Sequence, residues 1–149
     1  MREILFRGKC FNTEEWVEGY LGIEVPDELV IQQFSYDEYF KSNCIDQYSV
    51  KPETIGQYTG LTDKNGTKIF EGDILHVEQC GETGSRISSV HFGEYIDADS
   101  VFDNYRCIVF YVKTSDGCCT IGALLSEEFE CEVIGNIYDN PELMGEGGK

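Results

Sequence analysis

The chain has 149 residues and a mass of 16.9 kDa, the usual size of one domain, and 41% of its residues are hydrophobic, which excludes a wholly disordered chain. Its 28 acidic and 11 basic residues give a net charge of −17, which disfavours direct binding to nucleic acid or anionic membrane and leaves a basic protein partner open. Its apolar runs are shorter than the roughly 20 residues of a membrane span. Charges at Arg2, Glu3, Arg7 and Lys9 oppose a signal peptide, so we expect a cytoplasmic protein without a membrane segment.

Alternation of apolar and polar residues with a period of two predicts antiparallel β-strands over most of the chain. In the first third, the predicted strands are Ile4–Phe6 and Trp16–Leu21, which form an opening hairpin, and Leu29–Phe34. The sequence therefore predicts a β-structure from its first residues onward.

The segment 24–53 has few clean alternations and contains two prolines, so we expect a long excursion or a variable loop there. Within it, the run Ser35-Tyr36-Asp37-Glu38 fits a capping box, which predicts one helical turn ending near Ser42. The segment could carry a contact specific to this protein.

The densest turn signals lie between residues 54 and 77. Asn65-Gly66 is the typical pair of a type I′ hairpin turn, because both positions of that turn need a positive φ. Glu71-Gly72-Asp73 predicts a second tight reversal just before a strand at Ile74–Gln79. Two turns so close together predict a compact meander.

The last half of the chain continues the same pattern, with Asp116-Gly117 marking its clearest hairpin. Asn140 and Pro141 predict a short terminal turn, followed by a flexible tail at 145–149. The other predicted segments are a polar loop at Gln79–Ser85, a strand at Arg86–Phe92, an acidic loop at Gly93–Asn104, hairpin strands at Tyr105–Lys113 and Gly117–Leu124, and a final strand at Phe129–Ile137.

Nine to eleven short strands in one domain, residues 1–144, favour a closed or nearly closed barrel, because closure removes unpaired strand edges. The predicted fold class is therefore mainly β, an SH3-like barrel or β-roll with one or two short helical turns. The absence of a strand, helix, strand rhythm opposes a doubly wound nucleotide-binding fold.

No motif in the sequence carries a recognised chemistry. A zinc or thiol site could be drawn from His76, His91, Cys80 and the vicinal Cys118 and Cys119, but their spacing fits no zinc pattern. A calcium loop starting at Asp63 would need a glycine at its sixth position and a glutamate at its twelfth, and the sequence provides neither. Seven cysteines, an odd number without a C-x-x-C pair, indicate reduced thiols. We therefore predict no catalytic, cofactor-binding or metal-binding residues and no enzymatic activity.

Three longer motifs carry a family resemblance. The chain resembles the YopX family of phage and prophage proteins, and the most specific segments are Gly56-Gln-Tyr-Thr-Gly-Leu61, Lys68-Ile-Phe-Glu-Gly-Asp73 and Ile134-Gly-Asn-Ile-Tyr-Asp-Asn-Pro141. The resemblance implies a mainly β fold with an SH3-like barrel or roll, and a phage or prophage origin within a bacterial cytoplasm. It transfers no activity, cofactor or catalytic residue. The polar members of the motifs either satisfy buried backbone groups or present a shared surface: Gln57, Asp63, Asp73, Asn136 and Asp139.

These observations predict a phage or prophage accessory protein that acts by protein–protein contacts, with another protein or with copies of itself. A first alternative is an acidic DNA mimic that occupies the basic nucleic-acid site of a host protein. A second is a metal-dependent hydrolase of nucleotides, which requires a concave pocket that holds His76 or His91 with convergent carboxylates.

Overall fold

The computed structural model describes residues 3–24, 27–79, 85–97, 105–114, 117–124 and 129–145. The protein is mainly β, with 68% of the described residues in strands, and these strands form two antiparallel sheets. The strands are β1 (Phe6–Lys9), β2 (Trp16–Glu24), β3 (Glu28–Asp37), β4 (Ser42–Ser49), β5 (Gly56–Thr62), β6 (Lys68–Phe70), β7 (Asp73–Gln79), β8 (Ser85–Asp97), β9 (Tyr105–Thr114), β10 (Gly117–Thr120) and β11 (Phe129–Asn136). One helical turn, α1 (Ile121–Leu124), and 3-10 turns at Pro52–Thr54 and Pro141–Met144 complete the described structure.

The chain divides into two compact units, residues 1–60 and 61–149. In unit 1, the strand order is β4-β3-β2-β1-β5, and the predicted opening hairpin is confirmed as β1 and β2. Strand β2 pairs with β1 up to Gly19 and with β3 from Tyr20 onward. A Cβ atom at Gly19 would clash with the carbonyl oxygen of Gln32 and would lie 2.9 Å from Cγ2 of Ile31. Only glycine therefore fits where β2 passes from one partner strand to the other.

Strands β3 and β4 form a long hairpin in the segment predicted as an excursion or variable loop. They pair without interruption from Val30 opposite Ser49 to Asp37 opposite Ser42. The helical turn predicted from the capping box is wrong, because its first residues belong to β3 and residues 38–41 form the turn of the hairpin. The Asp37 carboxylate accepts backbone N–H groups, as the side chain of a helix-capping residue does, but here these hydrogen bonds close the hairpin turn.

The base of the hairpin is anchored in the core of unit 1. Val30, Ile31 and Val50 are at most 1% exposed, although Val30 and Ile31 are neighbours on β3 and point to opposite faces. Val50 packs so closely over Gly8 that a Cβ atom there would lie 2.9 Å from the valine side chain. The hairpin is thus fixed at its base, near β1, whereas its far end carries exposed side chains.

In unit 2, the strand order of the main sheet is β10-β9-β8-β7-β11. Alternate residues of β7, β8 and β9 point into one core cluster, as the period-two pattern predicts. The buried members of this core are Ile69, Leu75, Val77, Val90, Phe110, Val112, Ile121 and Cys131. The predicted hairpin around Asp116-Gly117 is confirmed by the pairing of β9 with β10, although residues 115 and 116 lie outside the described residues.

The turn at Asn65-Gly66 forms, but it is not of type I′. Gly66 has a φ of +83°, whereas Asn65 does not have a positive φ. The backbone N–H of Gly66 donates to the carbonyl of Asp63, and the N–H of Asp63 donates to the carbonyl of Thr67. The Asp63 carboxylate also accepts bonds from Asn65 and Thr67, which selects a wider turn with a single left-handed glycine.

Several predicted boundaries also change. Residues 93–97 of the predicted acidic loop extend β8, and the last four residues of the predicted strand Gly117–Leu124 form α1. The rest of the acidic loop, the polar loop at 80–84 and the tail from 146 lie outside the described residues. The pairings of the described strands leave both sheets open, so the SH3-like barrel is not confirmed. The single domain over residues 1–144 and its tail remain predictions.

Candidate protein-interaction surface on the β3–β4 hairpin

Four large apolar side chains lie exposed on one face of the sheet in unit 1. The register pairs Phe34 with Ile45 and places Tyr36 two residues further along β3, so all three point to the same side. Tyr20 lies on this side too, because its partner Gln32 does, and its ring meets that of Phe34 edge to face at 5.5 Å. These residues are 48% (Tyr20), 61% (Phe34), 55% (Tyr36) and 54% (Ile45) exposed, and we call them the aromatic face.

The turn of the hairpin adds two more exposed rings. Tyr39 is 89% and Phe40 is 73% exposed, and their ring centroids lie 5.0 Å apart. One carboxylate oxygen of Asp37 accepts the backbone N–H groups of both residues, at 2.8 and 2.9 Å, which fixes the turn from within. We call Tyr39 and Phe40 the aromatic tip. The hairpin therefore presents five large apolar side chains that its own fold does not bury, and Tyr20 on the neighbouring β2 adds a sixth.

The hairpin that carries these apolar groups has a net negative charge. Residues 27–49 include five acidic side chains and one basic one, a net charge of −4. The single base, Lys41, lies 4.0 Å from Glu38, and both side chains are largely exposed, so the pair is weak. An apolar surface on a negatively charged hairpin favours a partner that has an apolar patch flanked by basic side chains.

The two histidines lie in different settings on the sheet of unit 2. His76 faces Glu132 across the β7–β11 pair, and its Nδ1 lies 3.8 Å from a carboxylate oxygen of Glu78. His91 Nε2 lies 2.7 Å from Ser89 Oγ, and the imidazole stacks on the ring of Tyr111. Neither histidine lines the shallow pocket formed by Gly93, Glu94, Cys107 and Ile108.

The local environment sets the charge of His91. Burial lowers the pKa of the imidazole from its ordinary value, and the nearby Lys113 lowers the pKa further. Within the described residues, no group of three or more histidine, cysteine or acidic side chains could hold a metal ion. The described residues therefore offer no metal-ligand group of the kind that the metal-dependent hydrolase hypothesis requires.

The described thiols are not joined to one another. Five described cysteines are free, of which Cys10 and Cys131 are buried, and the side chains of Cys80 and Cys118 lie outside the described residues. Backbone hydrogen bonds from Thr13 and Asn12 lower the pKa of Cys10. Burial and the Asp63 carboxylate raise the pKa of Cys131. The five described thiols form no disulfide with one another.

The polar residues of the family motifs mostly satisfy backbone groups. Asp63 accepts three backbone N–H groups, from Asn65 and Thr67 in its own turn and from Val133 on β11. Asp73 accepts the N–H of Phe70, which closes the second predicted reversal.

In the third motif, residues 134–141, a side chain again accepts the backbone N–H groups of a turn. Asn136 accepts the N–H groups of Tyr138 at 3.0 Å and Asp139 at 2.9 Å, and its own amide donates to the Asp139 carboxylate at 3.1 Å. Asn140, predicted to cap the terminal turn, makes no side-chain cap bond. Of the two hypotheses for the motif residues, the structural one is therefore supported for Asp63, Asp73 and Asn136.

Acidic side chains also gather on the β7–β11 pair. Glu78 lies directly opposite Glu130, while Glu132 forms an ion pair with Lys64 at 3.1 Å. The ion pair with Glu132 raises the pKa of Lys64. Lys64 lies within this group of acidic residues and reduces its net negative charge. The group therefore imitates the closely spaced phosphates of DNA less well than its acidic residues alone would.

These features define a class of mainly β protein with two antiparallel sheets and an exposed aromatic hairpin. The family described as YopX protein matches residues 5–145, and the chain therefore belongs to the YopX family, which confirms the resemblance seen in the motifs. The fold is similar to that of protein EF1440 from Enterococcus faecalis, with a TM-score of 0.55 and 23% identity over 97% of this chain and 99% of that chain. No curated protein sequence matches the chain. Among the described residues, no helix has the length and apolar character that crossing a membrane requires.

Proposed function

We propose that this YopX family member is a phage or prophage accessory protein that acts by binding another protein through the aromatic face and the aromatic tip. The observation that carries this proposal is the exposure of Phe34, Tyr36 and Tyr39, each at least 55% accessible, on one hairpin. Water contact with so many rings is unfavourable, and exposed patches of this kind typically mark binding sites. Aromatic residues are also the commonest energetic anchors of protein interfaces.

The proposed partner is a protein with an apolar patch flanked by lysine or arginine side chains. The net charge of −4 on residues 27–49 supports this choice, because a basic rim would speed the encounter and an acidic one would oppose it. The proposed site of action is the cytoplasm of a bacterial host. Binding rather than catalysis is the proposed activity, which agrees with the structural role of Asp63, Asp73 and Asn136.

Site-specific photocrosslinking in bacterial cells tests the proposal. Benzoylphenylalanine is placed at Phe34 or Tyr39 on the hairpin, and at Ile108 as a matched control, because Ile108 is 71% exposed and lies on β9. We expect one protein to crosslink from both hairpin positions and not from Ile108. Equal crosslinking from all three positions, or crosslinking from Ile108 alone, would contradict the proposal.

The salt dependence of the crosslinked complex separates this function from the DNA mimic. A complex anchored by aromatic side chains should lose little affinity as the salt concentration rises, because apolar burial is not screened. A mimic that replaces phosphates on a basic protein should lose orders of magnitude of affinity over the same range. A steep salt dependence together with unchanged affinity of Phe34→Ser would favour the mimic.

A further inference from the structure

Among the described strands, β4 forms an edge of the unit 1 sheet. Val50 N–H donates to the carbonyl of Leu29, so alternate residues of β4 direct their backbone groups toward β3. Ser49 lies between these positions, and its carbonyl points the other way, where it accepts the N–H of Phe11 at 3.0 Å. By the same alternation, the N–H and carbonyl groups of Asn43, Ile45 and Gln47 point outward along the edge.

This edge has little of the usual protection of natural edge strands. Such strands are commonly shielded by proline, lysine or a bulge, which keep other strands from pairing with them. Residues 42–49 contain neither proline nor lysine, and β4 pairs with β3 without a register shift. Asp46 is the only charged residue of the strand. An eight-residue edge with three outward-facing residues is therefore open to one more strand.

The order of side chains on β4 fits a second copy of the same strand. If two β4 strands run antiparallel with Ile45 opposite Ile45 of the other copy, then Asn43 lies opposite Gln47, and the two amides can exchange hydrogen bonds. Asp46 then lies opposite Cys44, so no two charges of the same sign are directly paired. The apolar pair lies at the centre and the polar pairs lie on either side.

Other symmetric registers pair fewer of the outward-facing residues of β4. A pairing centred on Gln47 would place Ile45 against Ser49, whose carbonyl already bonds Phe11. A pairing centred on Asn43 would place Ile45 against Lys41, which is outside the strand and has a φ of +51°. The register centred on Ile45 is the one that uses all three outward residues of both strands.

We propose that two copies of this chain associate through β4, in an antiparallel pairing centred on Ile45. Residues opposite each other in such a pair point to the same side, so the aromatic faces of both copies lie side by side on one continuous sheet. A contact one strand wide is at the small end of specific interfaces, so we expect a weak dimer that depends on concentration. The dimer does not depend on the proposed binding partner.

Charge variants at position 45 test this register. Ile45→Lys and Ile45→Glu each place two like charges directly opposite each other, and both should be monomers in analytical ultracentrifugation at concentrations where the native chain dimerises. An equimolar mixture of the two variants should restore a dimer, because lysine then faces glutamate. Ile108→Lys, at an even more exposed position on β9, should dimerise like the native chain.

Two further measurements make the outcome decisive. Circular dichroism and thermal unfolding should show both variants folded, since Ile45 is 54% exposed. Should either lose its fold, the double variant Asn43→Glu with Gln47→Lys replaces it, and the proposal predicts a dimer tighter by about fivefold. A native chain that stays monomeric, a mixture that stays monomeric, or a dimer unaffected by any of these changes would overturn the proposal. Phe34→Ser should leave the dimer intact, which separates this test from that of the proposed function.

Discussion

Replacing Asp63 should remove the link between the β5–β6 turn and strand β11. Asp63 is 6% exposed, and its carboxylate accepts N–H groups of Asn65 and Thr67 at 2.8 Å and of Val133 at 3.0 Å. The bond to Val133 spans 70 residues of sequence. In Asp63→Ala these three donors lose their acceptor at once, so the variant measures what this side chain contributes to unit 2.

The expected loss in the free energy of unfolding depends on whether each of the three N–H donors is exposed or buried. Asn65 and Thr67 are exposed, so water can replace the carboxylate, and we assign about 0.5–1 kcal/mol to each bond. Val133 is half-buried, so its N–H becomes unsatisfied at a cost of about 1.5–2 kcal/mol. The expected total is about 3 kcal/mol, or a fall of roughly 6–12 °C in Tm. Asp63→Asn keeps one acceptor oxygen and should lose about half as much.

The pH dependence gives a second test of the same residue. Burial acts to raise the pKa of Asp63, but hydrogen bonds from Val133, Thr67 and Asn65 outweigh it, so the pKa lies below its ordinary value of 3.8. The ionised carboxylate thus stabilises the folded state above about pH 4, and this stabilisation is lost as the pH falls through the lower, folded pKa. The difference between the native chain and Asp63→Asn should therefore shrink below pH 4.

Urea unfolding followed by circular dichroism measures both effects. Asp27→Ala is the control, because Asp27 is exposed and its loss should change the free energy of unfolding by less than about 0.5 kcal/mol. If Asp63→Ala matched Asp27→Ala, or if its deficit grew on acidification, the assigned role of the carboxylate would be wrong.

Three other changes test separate parts of the structure. Gly19→Ala should destabilise unit 1 by at least about 2 kcal/mol in urea unfolding, because the added Cβ atom would clash with the backbone of Gln32. Gly122→Ala is the control and should not destabilise the protein, because the space around Gly122 is open. Equal effects of the two changes would refute the close approach of Gln32 to Gly19. Lys41→Gly should stabilise the hairpin by about 0.5–1 kcal/mol because Lys41 has a φ of +51°, and a loss of stability would contradict this. In an NMR titration, His91 should have a pKa below its ordinary value of 6.5, because burial and Lys113 lower it. The contribution of His91 to stability should therefore fall as the pH drops below 6.5. A pKa at or above 6.5 would count against the effect of burial and Lys113.

Local patterns in the sequence predict the strands well. The opening hairpin, the strand after Gly72 and the hairpin around residues 115 and 116 follow from alternation and turn residues, and the structure confirms them. These signals are local, because each strand carries its own alternation and each turn its own glycine.

The errors arise where contacts that the local pattern does not show decide the structure. The capping box at Ser35 is a correct local signal, but eight consecutive cross-strand pairs between β3 and β4 outweigh it. The type I′ turn fails because Asp63, two residues earlier, binds the turn's own backbone. The aromatic face depends on the register that brings Phe34 beside Tyr20 and Ile45, and no local pattern fixes that register.

The affinity of the hairpin for its crosslinked partner tests the central proposal most directly. Isothermal titration calorimetry compares the native chain with Phe34→Ser and with Ile108→Ser, two exposed apolar positions of similar accessibility. Loss of an aromatic anchor should raise Kd by about 10- to 30-fold for Phe34→Ser. Ile108→Ser should change Kd by less than about twofold. Equal Kd values for the two variants would contradict the account of the β3–β4 hairpin as the binding surface.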